Sequence, residues 1–202
     1  MDFAGRLSQT SIEAILFDLD GTLVDTMPLH YEAYRRVLGD HGLSLAFEDF
    51  LAASGGAARE TIPRLVAGRS CSASADEIHA QKVSLAARLF QETPPRPLPT
   101  ALLLPVLGRA YPIGLVSSGS RRSVEITLSA LNWTDIFRVT VTGSDVTRGK
   151  PDPQGYLQAA EALSVSPDRC LVFEDMDDGV QAAAKAGMAV FDVRLALPAW
   201  RR

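Results

Sequence analysis

Asp18-Leu19-Asp20-Gly21-Thr22 sets two carboxylates two residues apart, immediately after the apolar run Ala14–Phe17. If that run is a strand, side-chain alternation sends Asp18 and Asp20 to the same side. They then lie just beyond the strand's carboxyl end, where open α/β sheets take their ligands. Carboxylates this close repel unless a cation or a shared proton intervenes, so the pair indicates a metal site or an acid/base pair with divided pKa values. The plainer alternative is a solvated Asp-Gly turn. Glu174-Asp175 is a second acidic pair after another apolar run, 171–173. Four carboxylates from two strand ends suit a hard divalent cation such as magnesium, which binds carboxylates together with water and substrate phosphate. The alternative there is an acidic first turn favouring a helix dipole, and Asp177 and Asp178 are assigned only that role.

Ser117-Ser118-Gly119-Ser120 follows the run Ile113–Val116 and precedes a helical pattern. Its hydroxyls and backbone N–H groups suit a phosphate cradle, although any helix cap uses the same residue types. Gly149-Lys150-Pro151-Asp152-Pro153 adds a lysine in a stiff loop, a mere surface charge if it stands alone.

These residues need a scaffold that brings them together. The runs Ala14–Phe17, Ile113–Val116, 171–173 and 189–191 read as buried parallel strands, and 138–141 as a fifth with β-branched character. Val124, Leu128 and Leu131 recur at helical spacing, as do Tyr156, Ala160 and Leu163; 180–186 is alanine-rich, and Pro153 suits a helix's first turn. Strand and helix thus alternate from Ile113 onward, which predicts an α/β fold: a doubly wound, mostly parallel, Rossmann-like sheet. The stretch from 28 to 96 breaks the alternation. It offers helical patterns over 29–38 and at Ile78, Leu85 and Leu89, and no convincing strand. The expected organisation is a catalytic core of 1–26 plus 97–202, with an all-helical cap of 27–96 inserted after the first strand. Linkers are expected near 25–28 and at the proline-dense segment 93–99, so the insert could hinge as a lid.

With 202 residues the chain suits one domain carrying an insert. A net charge of −4 with interspersed signs offers no footprint for nucleic acid or an anionic membrane surface. No apolar stretch reads as a membrane span, signal or transit peptide, so the expected location is the cytoplasm. Cys71 and Cys170 are read as ordinary thiols without catalytic, metal or disulfide roles. A monomer is the favoured expectation.

The ordered set Asp18-x-Asp20-Gly-Thr, Ser117, Lys150-Pro-Asp-Pro and Glu174-Asp175 resembles the four motifs of the haloacid dehalogenase superfamily, across nearly the whole chain. The helical insert resembles the cap of the β-phosphoglucomutase-like group of sugar phosphatases and mutases. The resemblance implies that Asp18 attacks phosphorus and becomes an aspartyl phosphate. Asp20 would protonate the leaving oxygen and then activate water or a second hydroxyl; its presence argues against dehalogenation. Magnesium would be held by Asp18, the backbone carbonyl of Asp20 and Asp175, with Glu174 close by. Ser117 and Lys150 would bind the phosphoryl oxygens, assisted by Ser118 and Gly119.

The resemblance also gives His30 a place near the acid/base residue, and Arg59 that of a cap arginine gripping a substrate's distal phosphate. An exposed histidine and a surface Arg–Glu pair are the alternatives; Arg121 and Arg122 are read as surface charges. Met176 stands where relatives commonly carry serine, and the chain stops soon after its last strand, which leaves little room for further elements. The expected activity is magnesium-dependent hydrolysis of a small phosphate monoester, preferably a sugar phosphate. A phosphosugar mutase is the alternative, and a phospho-receiver or idle binding module a minor one.

Overall fold

The computed structural model describes residues 11–54 and 58–196, without the side chains of 58–60 and 196. In chain order the elements are β1 (Ala14–Phe17), β2 (Val24–Asp25), α1 (Met27–Asp40), α2 (Phe47–Ala53), α3 (Ala58–Val66), α4 (Ala75–Glu92) and β3 (Arg96–Pro97). A 3-10 turn (Pro99–Leu103) leads to α5 (Leu104–Ala110), β4 (Ile113–Val116), α6 (Arg121–Ala130), β5 (Val139–Val141), α7 (Gln154–Leu163), β6 (Cys170–Glu174), α8 (Asp177–Lys185) and β7 (Ala189–Asp192). All five strands expected from the sequence form, and they pair in parallel in the order β5-β4-β1-β6-β7. Pro153 sits one position earlier than expected, as the residue preceding α7.

Both faces of the sheet are covered, which is why its strands read as continuous apolar runs. Ile15, Phe17, Ile113, Leu115 and Phe173 join Leu104 of α5 and Val124 and Leu128 of α6 on one face. Ala14, Leu16, Val116, Cys170 and Val172 meet Tyr156, Ala159 and Ala160 of α7 and Ala182 and Ala183 of α8 on the other. The chain runs from β1 out to β4 and β5, then returns to the far side of β1 for β6. The order therefore reverses between β1 and β6, where ligands of such sheets bind. Asp18 follows one of these strands, and Glu174 and Asp175 close the other.

Between β2 and β3 lie the four helices α1 to α4, around a separate cluster that includes Tyr34, Leu38, Phe50, Ile62 and Ile78. α4 opens with Ser74, whose hydroxyl accepts the Glu77 N–H while the Glu77 carboxylate accepts the Ser74 N–H. It packs against α1 and also along α6. The proline-dense stretch is not a free linker: Val24 and Asp25 pair antiparallel with Pro97 and Arg96, and the Leu98 N–H donates to Leu23 O at 2.8 Å. The expected division at 96/97 thus falls inside β3. Two-residue strands carry no periodicity, and a proline in one hides it further. Among the described residues no helix is long and apolar enough to cross a membrane.

Candidate active site

The loops after β1, β4, β5 and β6 converge, and the Lys150 ammonium lies at their centre. Its Nζ donates to Asp18 Oδ1 at 2.6 Å, Glu174 Oε1 at 2.5 Å and the Val116 carbonyl at 3.1 Å, which uses all three of its protons. Burial disfavours the ammonium, yet Asp18 and Glu174 outweigh it and hold Lys150 well above the ordinary lysine range. Glu174, 1% exposed, is fully engaged. Its Oε1 also accepts from the Tyr156 hydroxyl at 2.9 Å, and its Oε2 takes the backbone N–H groups of Asp175 and Met176.

Asp18, Glu174 and Asp175 each offer a carboxylate oxygen, and these oxygens lie within 4.8 Å of one another. Burial above all, then the neighbouring Glu174 charge, push Asp175 up to about 7. The Thr22 hydroxyl, donating to Asp175 Oδ1 at 3.0 Å, works the other way. Burial likewise raises Asp18 well above the carboxylate range, opposed by Lys150. Carboxyls crowded until they resist ionisation, with oxygen donors alone, fit a hard divalent cation. Asp18 and Asp175 are the side chains with capacity for it, because Glu174 has donors on both oxygens.

Asp20, on the same turn, has different company. Its Oδ2 accepts from the Ser117 hydroxyl at 3.2 Å, and His30 Nε2 lies 3.7 Å from Oδ1. Burial raises its pKa, but the His30 and Ser117 contacts outweigh that and hold it below the usual carboxylate range. The Ser117 hydroxyl also accepts the Gly119 N–H at 3.0 Å, which folds the serine loop over it. Ser118 is exposed, and its carbonyl turns to the loop after β5, where Gly143 N–H bonds Gly119 O at 2.8 Å. Arg121 is no free surface charge, since it reaches Asp145 of that loop at 2.6 Å.

His30 comes to the site from α1 with a partner the sequence reading missed. Lys82 of α4, 6% exposed, has its Nζ 3.1 Å from His30 Nδ1 and 4.8 Å from the centre of the Tyr34 ring. An ammonium donating to Nδ1 leaves the imidazole proton on Nε2, facing Asp20. Burial first, then the Lys82 charge, lower the His30 pKa, and burial brings Lys82 down to about 8. The signal in the sequence is a lysine one turn after Ile78, on the apolar stripe that continues through Leu85 and Leu89. Arg59 lies on α3, but its side chain is outside the described residues.

The model of a haloacid dehalogenase-like hydrolase matches residues 12–187. The chain belongs to that family. Among similar haloacid dehalogenase-like proteins is the phosphorylated carbohydrates phosphatase of Thermotoga maritima, 35% identical over 181 residues, which cover 88% of this chain and 82% of that one. The fructose-1-phosphate phosphatase of Escherichia coli is 29% identical, over 90% of this chain and 96% of the other. A solved structure of β-phosphoglucomutase from Clostridium difficile superposes with a TM-score of 0.75 at 27% identity, covering 90% of this chain and 84% of that one. The sequence expectation of a phosphoric monoester hydrolase agrees with the first two.

In this haloacid dehalogenase-like hydrolase the Asp-Gly turn has a specific steric reason. Gly21 has φ +90°, and a Cβ there would meet Asp175 Oδ2 at 2.1 Å. Gly21→Ala is therefore expected to strain the turn and push Asp175 aside. Turnover should fall roughly 10- to 100-fold. Steady-state kinetics of the variant read this, and wild-type turnover would show that the close approach of Gly21 to Asp175 does not matter to catalysis.

Proposed function

We propose that the chain hydrolyses a small phosphate monoester, a sugar phosphate, through an aspartyl phosphate on Asp18. The observation that carries this reading is the division of labour between two carboxylates on one turn. Asp18 is held by Lys150 within the cation-binding group, while Asp20 is held apart by Ser117 and His30. Neighbouring titratable groups in unlike environments are the mark of separate chemical roles.

Asp18 attacks phosphorus as the ester oxygen departs, and that oxygen takes a proton from Asp20. Asp20 then takes a proton from water, the water oxygen attacks the acyl phosphate, and inorganic phosphate leaves with Asp18 regenerated. As it stands Asp20 is the ionised acceptor suited to the second half. The approach of a phosphate dianion raises its proton affinity for the first. Lys150 has no spare proton, so a phosphoryl oxygen gains one at the expense of the Val116 carbonyl or of Asp18 as it attacks. The Ser117 hydroxyl, turned from Asp20, and the Ser118 N–H complete the phosphate cradle, while the Gly119 N–H, expected to join them, is instead spent on holding Ser117.

Magnesium would be held by Asp18, Asp175 and the backbone carbonyl of Asp20, where it supplies the positive charge that lets an anionic nucleophile approach an anionic phosphate. Glu174 serves by holding Lys150. The helices between β2 and β3 are the cap, and its Lys82–His30 pair, which reaches Asp20, makes the cap the seat of substrate choice. Activity on p-nitrophenyl phosphate is expected to vanish with a chelator and return with magnesium; full activity in the chelator would remove the metal from the account.

A mutase remains the second reading, favoured by one contact. His30 and Lys82 tie Asp20 to the helical insert, so an insert that shuts out water could return the phosphoryl group to a second sugar hydroxyl. The similarity to β-phosphoglucomutase supports it too.

A further inference from the structure

Tyr156 stands in the sequence as one of the apolar repeats of a helix, and its ring does pack with Leu16, Val116 and Val172. Its hydroxyl, however, reaches the catalytic end of that face. The side chain is 1% exposed, and the hydroxyl donates to Glu174 Oε1 at 2.9 Å, the oxygen that also binds Lys150. We propose that Tyr156 is a positioning residue for phosphoryl transfer, its hydroxyl restraining Glu174 so that Lys150 remains bonded to Asp18. The inference rests on the phosphatase reading above.

Two carboxylates compete for one ammonium, at 2.6 Å from Asp18 and 2.5 Å from Glu174. The carboxylate with fewer other donors draws the ammonium harder. Glu174 has three others, the Tyr156 hydroxyl and the N–H groups of Asp175 and Met176. Without the hydroxyl, Oε1 keeps Lys150 alone and pulls it away from Asp18. Glu174 cannot retreat in the other direction, because a Cβ on Gly179 would lie 1.7 Å from that same oxygen. Its carboxylate is seated against the start of α8, where only a glycine leaves room for it. The Tyr156 ring, 5.1 Å from Lys150 Nζ, stays in place in a phenylalanine variant, so the substitution isolates the hydroxyl.

The experiment measures p-nitrophenyl phosphate hydrolysis with magnesium for the wild type, Tyr156→Phe, Glu174→Gln and the double variant, at enzyme concentrations high enough to follow the slower proteins. Tyr156→Phe should lower kcat about tenfold, the scale of one hydrogen bond to a charged group, with KM changed less than about twofold. In the Glu174→Gln background, where the competing charge is gone, the same substitution should cost nothing further. A role in packing alone moves the melting temperature and gives no such dependence on Glu174. Wild-type kcat in Tyr156→Phe, or an equal loss in both backgrounds, overturns the inference and leaves the phosphatase reading intact. A wild type that hydrolyses neither p-nitrophenyl phosphate nor a sugar phosphate overturns both.

Discussion

Asp18→Asn is expected to lower turnover by at least about 1,000-fold, the scale seen when a covalent nucleophile is removed. The amide has the shape of the carboxylate and still accepts from Lys150, so substrate should bind nearly as well and the defect should appear in kcat. The fold should tolerate the change. Burial already makes the Asp18 charge unwelcome, and Glu174, Asp175 and Asp20 repel it. A melting temperature at or above that of the wild type should therefore accompany the lost activity. Retained turnover would mean that another group, or water directly, attacks phosphorus.

Asp20→Asn should give the second-largest effect, and one that depends on the leaving group. With a sugar phosphate both halves of the cycle need a proton moved by Asp20, so kcat should drop about 100- to 10,000-fold. With p-nitrophenyl phosphate the departing oxygen needs no proton, and only the attack of water on the aspartyl phosphate suffers. The variant should then release one equivalent of p-nitrophenol per enzyme in a burst and turn over slowly afterwards. Stopped-flow absorbance reads this directly. Equal losses on both substrates without a burst would separate Asp20 from proton transfer.

Most of the catalytic core was legible in the sequence because its chemistry sits where regular strands stop. A parallel strand covered on both faces is an apolar run, so the first polar residues that end it, Asp18, Ser117 or Glu174, mark the sheet's carboxyl edge. In such a sheet those edges converge, which is why residues as distant as Asp18 and Lys150, 132 positions apart, meet at 2.6 Å.

What was not legible depends on packing between elements. Lys82 meets His30 across 52 positions because α4 lies against α1, and only a charge on an apolar stripe hinted at it. Tyr156 counted correctly as core, yet periodicity reports where a ring goes and not what its hydroxyl meets. The Glu174 carboxylate reads from spacing as a metal ligand. Its four hydrogen bonds, two of them from backbone N–H groups, occupy both of its oxygens, which spacing alone does not show. The β2–β3 pair escaped because two residues cannot display a period, and Arg121 because its partner Asp145 lies in another loop.

A product balance separates hydrolysis by this chain from rearrangement. The protein is incubated with magnesium and, in separate reactions, fructose 1-phosphate, glucose 6-phosphate and β-glucose 1-phosphate primed with a trace of glucose 1,6-bisphosphate. Inorganic phosphate, free sugar and rearranged sugar phosphate are then quantified together. Inorganic phosphate and free sugar are expected in equal amounts from at least one of these esters, and neither from the Asp18→Asn protein. Glucose 6-phosphate formed from the 1-phosphate without free phosphate would contradict hydrolysis and make the chain a mutase.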